Sequence, residues 1–223
     1  MLSRRHAIVG AAAIPLLALP GCTTLGDLEG FGIENALRRL MTVSSQRAFA
    51  NLLTENGFFS DDLARVPLPP QLAETGSIVS ALLRSAAVQS QLLRVMTRAA
   101  AEAAEAAAPV VYDSIRNLTI SDAMALARGG PTAATDFLQR AMGTRIVDAM
   151  FPDVGNALRL FDSGIVNQVV QAATGINFSG LQQHVTQAAA TGIYRAIGRE
   201  EAAIRANPGS VNDPLIATLF GRR

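Results

Sequence analysis

The 223-residue chain has no lysine and no tryptophan, one cysteine and two histidines. Each shortage removes a class of chemistry. Without lysine there is no Schiff-base catalysis and no phosphate-binding loop that closes on a lysine. A single cysteine forms no internal disulfide, and two histidines beside it leave few ligands for a metal. Aromatic residues are 5% of the chain and charged residues 17%, a poor supply of stacking surface and carboxylates for cleaving glycans. No run reaches the roughly 20 apolar residues that cross a bilayer. Sustained period-two alternation is missing as well, so no strand is expected. What remains is a chain 49% hydrophobic and rich in alanine, with 19 basic residues, all arginine, against 18 acidic ones. That composition supports one helical domain with a sizeable core.

The N-terminus has its own logic. Arg4 and Arg5 precede an apolar run, Ala7 to Leu19, followed by Pro20, Gly21 and Cys22. A positive start, a short apolar stretch and small residues are the layout of a secretory signal peptide. Leu19-Pro20-Gly21-Cys22 resembles a bacterial lipobox, with Cys22 as the acylated first residue of the mature chain. A free or buried thiol is the alternative. Ser3-Arg4-Arg5 before Ile8 and Val9 also fits a twin-arginine export signal as well as it fits the general secretory route. Thr23 after the cysteine, in place of an aspartate that retains lipoproteins in the inner membrane of enteric bacteria, points to an outer-membrane address facing the periplasm. The 19 basic residues less Arg4 and Arg5 leave 17 against 18 acidic, a net charge of −1, and no nucleic-acid partner is expected.

The expected organisation is a signal peptide over 1–21, a lipidated tether over 22–32 and an all-α bundle of about seven to nine helices over 33–223. Glu34 to Leu52 has helical spacing and Gly57 ends it. Asp61, Asp62 and the prolines at 67, 69 and 70 mark a packed connection. A second helix carries Ile78, Leu82, Leu92 and Met96 into the alanine-glutamate stretch 99–108, where Pro109 ends or kinks it. Helical spacing resumes from Val110 to Leu118. Thr119 or Ser121 is the expected cap of a short helix closed by Gly129 and Gly130. Pro131 and Thr132 open a helix through Phe137, Met142, Ile146 and Met150 that Pro152 ends. Shorter helices follow around 154–161 and 165–173. Ser179 is the expected cap of a long helix burying Leu181, Val185, Ala189, Ile193 and Ile197, and Asn207-Pro208-Gly209 breaks it. Asp213-Pro214 caps a terminal helix.

Several blocks resemble the bacterial domain-of-unknown-function family 4197. They are Asn56-Gly57-Phe58 with Val66-Pro67-Leu68-Pro69, Met96-Thr97-Arg98-Ala99-Ala100, Asp113-Ser114-Ile115 and Thr119-Ile120-Ser121-Asp122-Ala123. Gly129-Gly130 with Ala133-Ala134-Thr135, and Glu200-Glu201 with Ile204-Arg205 and Asn207-Pro208, complete the set. Their order and spacing run from about residue 33 to the C-terminus. The resemblance implies a helical, exported, often lipid-anchored domain with no established activity. It also marks departures: the family pattern has an acidic residue where Ala101 stands, and a lysine and an aspartate near Ala188 and Thr191.

Among residues for chemistry, His184 is the only histidine of the mature chain, and no serine stands in a G-x-S-x-G setting to pair with it. Asp61 and Asp62 lack the alternation of a calcium loop. No catalytic residue, metal or cofactor is expected. The polar residues of the resembling blocks, Arg98, Asp113, Asp122, Thr135, Glu201 and Arg205, are the site candidates. Helix caps and pairs account for most of them, with Asp122 in a first turn and Glu201 and Arg205 at i,i+4. One feature is less ordinary. From Ser163 to Tyr194 there is no charged residue, yet asparagines and glutamines keep the stretch polar, among them Gln171 and Gln187. Such a neutral face is either compositional drift or a contact surface for a protein partner or a second copy. The expected function is therefore a non-catalytic envelope lipoprotein that acts by protein contact. A carrier of a small apolar ligand between alanine-lined helices is the alternative, with an enzyme third.

Overall fold

The computed structural model describes residues 25–54, 56–70, 86–159, 171, 175 and 177–221. The expected signal peptide and Cys22, together with Ile78 and Leu82, lie outside the described residues. So does the helix expected at 165–173, except Gln171. The described residues form eight α-helices and one 3-10 turn, with no strand among them. They are α1 (Leu25–Leu52), α2 (Gly57–Ser60), α3 (Ala86–Asn117), α4 (Ala123–Arg128), α5 (Ala133–Met142), α6 (Arg145–Ala157), α7 (Phe178–Ala206) and α8 (Pro214–Phe220), with the 3-10 turn at Pro208–Ser210. The all-α bundle expected from the periodicity is the fold observed.

Helix α7 is the axis of the bundle. Leu181, Val185, Ala189, Ile193 and Ile197 are buried at every fourth position, as their spacing predicts, and Ile204 continues the line. The helix packs against α1, α3, α5 and α6. Opposite it, α1 contributes Leu37, Leu40, Met41 and Leu52, all fully buried. On α3 the alanines 99, 100, 103, 104 and 107 are buried to within 1%. Their small side chains let α6 approach closely, and α3 with α6 is the most extensive helix pair.

Four boundaries differ from the expectation. Helix α1 begins at Leu25, so residues 25–32 of the expected tether are helical. Glycine there lowers helix propensity by about 1 kcal/mol per residue, but no proline interrupts the chain and the packed length downstream carries the extra turns. Pro109 and Pro152 lie inside α3 and α6 and end neither. Both prolines are exposed, and the carbonyls they deprive belong to Glu105 and Asp148, residues that also face solvent, a setting in which water can take the place of the missing amide. The helix expected to run from Thr132 to Met150 is two helices. Gly143 breaks it with φ of 56°, a conformation a side chain adopts only with strain. The caps also shift by a residue or two. Asp122 itself, and not Thr119 or Ser121, caps α4 by accepting from the Ala125 amide at 2.9 Å. Asn177, and not Ser179, caps α7 by accepting from Gly180 at 2.8 Å. Asp213 caps α8 as expected, accepting from Leu215 and Ile216 at 3.0 and 3.3 Å.

Candidate functional site

The helical spacing of Glu201 and Arg205 puts both on one face of α7, and the fold turns that face toward the ends of α4 and α5. Glu201 has no exposed surface. Its carboxylate accepts from the Ala134 amide at 3.0 Å, the Thr135 amide at 2.7 Å and the Thr135 hydroxyl at 2.6 Å. The Arg205 Nε donates to it at 2.7 Å. Arg205 also donates to the carbonyls of Leu126 and Ala127, each at 3.0 Å, and stacks its guanidinium 4.7 Å from the centre of the Phe220 ring. Three of the six polar residues singled out in the sequence therefore meet in one cluster. All the charge in it is spent on helix ends: an anion at the start of α5 and a cation at the end of α4. Thr132, at the N-cap of α5, makes no cap bond of its own, and Glu201 supplies that function from across the bundle.

The remaining candidates lie apart. Asp113 is exposed and pairs with Arg116. Asp122 is the cap of α4, one position before the first turn where the spacing placed it. Arg98 pairs with Glu102 at 2.9 Å and is 82% exposed. His184 sits within 2.8 Å of the Pro67 carbonyl, through its Nε2, and ties α7 to the proline-rich connection.

Arg98 does, however, border a groove of about 850 Å³ between α2 and the first half of α3. Two of the resembling blocks meet there, Asn56-Gly57-Phe58 and Met96 to Ala100, and Ala101 lines it as well. Thr97 also lines it, with 6% of its surface exposed and its hydroxyl without a hydrogen-bond partner. Leaving a buried hydroxyl unpaired costs about 1–3 kcal/mol. Thr42, Thr186 and Thr191 avoid this by donating to the carbonyl four residues back, each at 2.8 Å. Sequence reasoning passed over Thr97 in favour of its charged neighbour, because nothing in a run of residues tells which hydroxyl lacks its usual acceptor.

Two further ion pairs were not anticipated. Arg199 grips Asp61 with two bonds of 2.9 and 2.6 Å, tying α7 to the connection after α2. The hydrogen bonds from Arg199 hold the Asp61 carboxyl below the usual carboxylate range in spite of its partial burial. Arg39 donates to Asp213 at 2.8 Å and ties α1 to α8. Burial alone would push the Asp213 carboxyl up, but Arg39 and the Ile216 and Leu215 amides outweigh it and hold it below its ordinary value. Arg38 binds the carbonyls of Ile115, Arg116 and Leu118 at 2.6, 3.0 and 2.7 Å and closes the end of α3. Its i,i+4 partner Glu34 was the readable signal for that clasp.

The uncharged segment resolves into two kinds of surface. On α7, Leu181, Gln182, Val185 and Thr186 are buried, and Gln182 donates to the Phe151 carbonyl at 2.7 Å. Ser179, Gln183, Gln187 and Thr191 are exposed at every fourth position, and Gln171 is exposed too. Among the described residues no three His, Cys, Asp or Glu side chains gather as a metal site, and no helix is long and apolar enough to cross a membrane.

The fold and its clasps define a helical-bundle domain whose conspicuous charges serve its own helix ends. Residues 27–221 match the family described as "Protein of unknown function (DUF4197)", and the chain belongs to that family. The match begins within α1, in keeping with a helix that starts before residue 33. No curated protein and no solved structure matches the chain.

Proposed function

We propose that the protein is a non-catalytic lipoprotein of the cell envelope, held through acylated Cys22 at the periplasmic face of the outer membrane, whose helical domain works by contacting another protein. The anchor rests on the lipobox-like sequence at 19–22. The contact reading rests on one observation: the stripe Ser179, Gln183, Gln187, Thr191 is exposed on α7 and carries no charge. Solvated helix faces normally carry charges, and the same stripe does so farther along, at Arg195 and Arg199. An amide offers donors and an acceptor to a partner without the desolvation cost of an ion, which suits a surface that alternates between water and protein. The carrier reading draws no support from the alanines of α3, which are packed into the core.

The test is in-cell crosslinking of the full chain with Gln187→Arg and, separately, Gln171→Glu. The expected result is loss of a crosslinked species at unchanged melting temperature, since an unmatched charge at an interface costs about 1–3 kcal/mol and an exposed one almost nothing. The mass of the lost species tells a partner from a second copy. An unchanged crosslink pattern refutes the contact reading, and a large fall in melting temperature assigns the position to the core.

A further inference from the structure

The groove between α2 and α3 shares no residue with the α7 stripe, and its chemistry is of another kind. Its floor is apolar, with the half-buried Val95 and Ala101 over the buried Phe58, and its flank holds Leu53 and Phe59, each about 40% exposed. Its volume of about 850 Å³ is in the range of ligand sites. Along α3 the rim is ordered by charge: Arg94 and Arg98 on one half, Glu102 and Glu105 on the other, all exposed.

We propose that this groove binds a linear peptide segment of a partner protein, acidic toward Arg94 and Arg98 and basic toward Glu102 and Glu105, with an apolar side chain against the exposed Leu53 and Phe59. The charge order selects this occupant. A fatty acid or a small anion is drawn to the arginines by its charge but gains nothing from the glutamates. A peptide with both signs complements the whole length. Arg94 and Glu105 are eleven residues apart on α3, about 16 Å at 1.5 Å per residue, which about five extended peptide residues cover at 3.3 Å each.

The test uses the full chain and a pooled set of labelled heptapeptides with an acidic pair, three varied central residues and a basic pair, read by fluorescence anisotropy. A member with an apolar centre is expected to bind saturably. Phe59→Ser should weaken it several-fold without lowering the melting temperature, since Phe59 is an exposed lining residue. Arg94→Glu with Arg98→Glu should weaken it by at least about tenfold and let an all-basic peptide bind instead. Glu102→Arg with Glu105→Arg should do the converse for an all-acidic peptide. These four positions are exposed, so the charge changes leave the fold intact. Absence of saturable binding by any member, or affinities indifferent to the rim changes, would overturn the proposal. Saturable palmitate binding that displaces the peptides would overturn it in favour of a lipid site, and self-association lost on the rim charge changes in favour of a second copy.

Discussion

Glu201 and Arg205 stand one turn apart on α7 and between them hold the ends of two other helices. The carboxylate receives the Ala134 and Thr135 amides at the start of α5, and the guanidinium donates to the Leu126 and Ala127 carbonyls at the end of α4. Each charge faces the helix end whose dipole favours it, and the two neutralise one another at 2.7 Å. The pair is thus satisfied on every side although Glu201 is wholly buried.

Removing one member strands the other. Glu201→Ala should cost about 3–5 kcal/mol, and Glu201→Gln less, because the amide oxygen still accepts from the α5 amides. Arg205→Lys should not restore the wild type, since an ammonium cannot reach two carbonyls and a carboxylate in one plane. Urea denaturation of the single variants and of the Glu201→Ala, Arg205→Ala double variant measures this. The double variant should lose less than the sum of the singles. A Glu201→Ala loss below about 1 kcal/mol would contradict the clasp.

Asp61 and Asp213 both ionise more readily in the folded chain than in the unfolded one. The unfolded chain therefore binds more protons through the acid range, and stability rises with pH there. The contribution of both pairs is complete above the unfolded carboxylate values near pH 4 and is lost as pH falls through the lower folded values. Melting temperatures from pH 7 to pH 2 should fall steeply below about pH 4. Asp61→Asn should flatten that fall and Arg199→Ala should do the same, at little change in slope above pH 5. An acid profile identical to the parent would show that the Asp61 pair contributes nothing.

Gly192 lies where α7 crosses the connection after α2. A Cβ at this position would come within 2.8 Å of the Ala64 Cα and carbonyl oxygen, both backbone atoms. Gly192→Ala should gain helix propensity yet lose about 1–3 kcal/mol to the forced displacement, a net destabilisation that chemical denaturation reads directly. A stabilised variant would mean that the connection yields.

Cys22→Ser in the native host should release the protein from the membrane fraction into the soluble periplasm, because no apolar run in the chain is long enough to span and acyl chains would be the whole anchor. Fractionation that stays with the membrane would end the anchor proposal.

The buried line of α7 was legible residue by residue because its apolar positions recur every four residues over five turns. The cap at Asp213-Pro214 was legible because both residues act within one turn of themselves. Pro152 misled, and the ending that was one of two readings of Pro109 did not occur, because a proline's cost depends on whether water reaches the carbonyl left behind, and exposure is a property of the fold. The break at Gly143 was hidden for a similar reason: glycine permits a positive φ but does not compel it. Asp61 was read as part of a packed connection and set aside as a calcium ligand, and its ion pair stayed hidden because the partner, Arg199, is 138 residues away.

Local rules settle local matters. The helical class, the helix ends at Gly129, at Asn207 and at Asp213, the buried faces and the neutral composition of the stretch before Tyr194 follow from the amino-acid order alone, because propensity, capping and amphipathic period act over a few residues. Tertiary structure alone decided that Glu201 caps a helix 66 residues away, that Gln182 is buried while Gln187 is exposed, and that Thr97 lines a groove without a partner. Those outcomes depend on which faces meet, and that is set by the packing of whole helices, where side chains distant in sequence compete for the same space and the same hydrogen bonds.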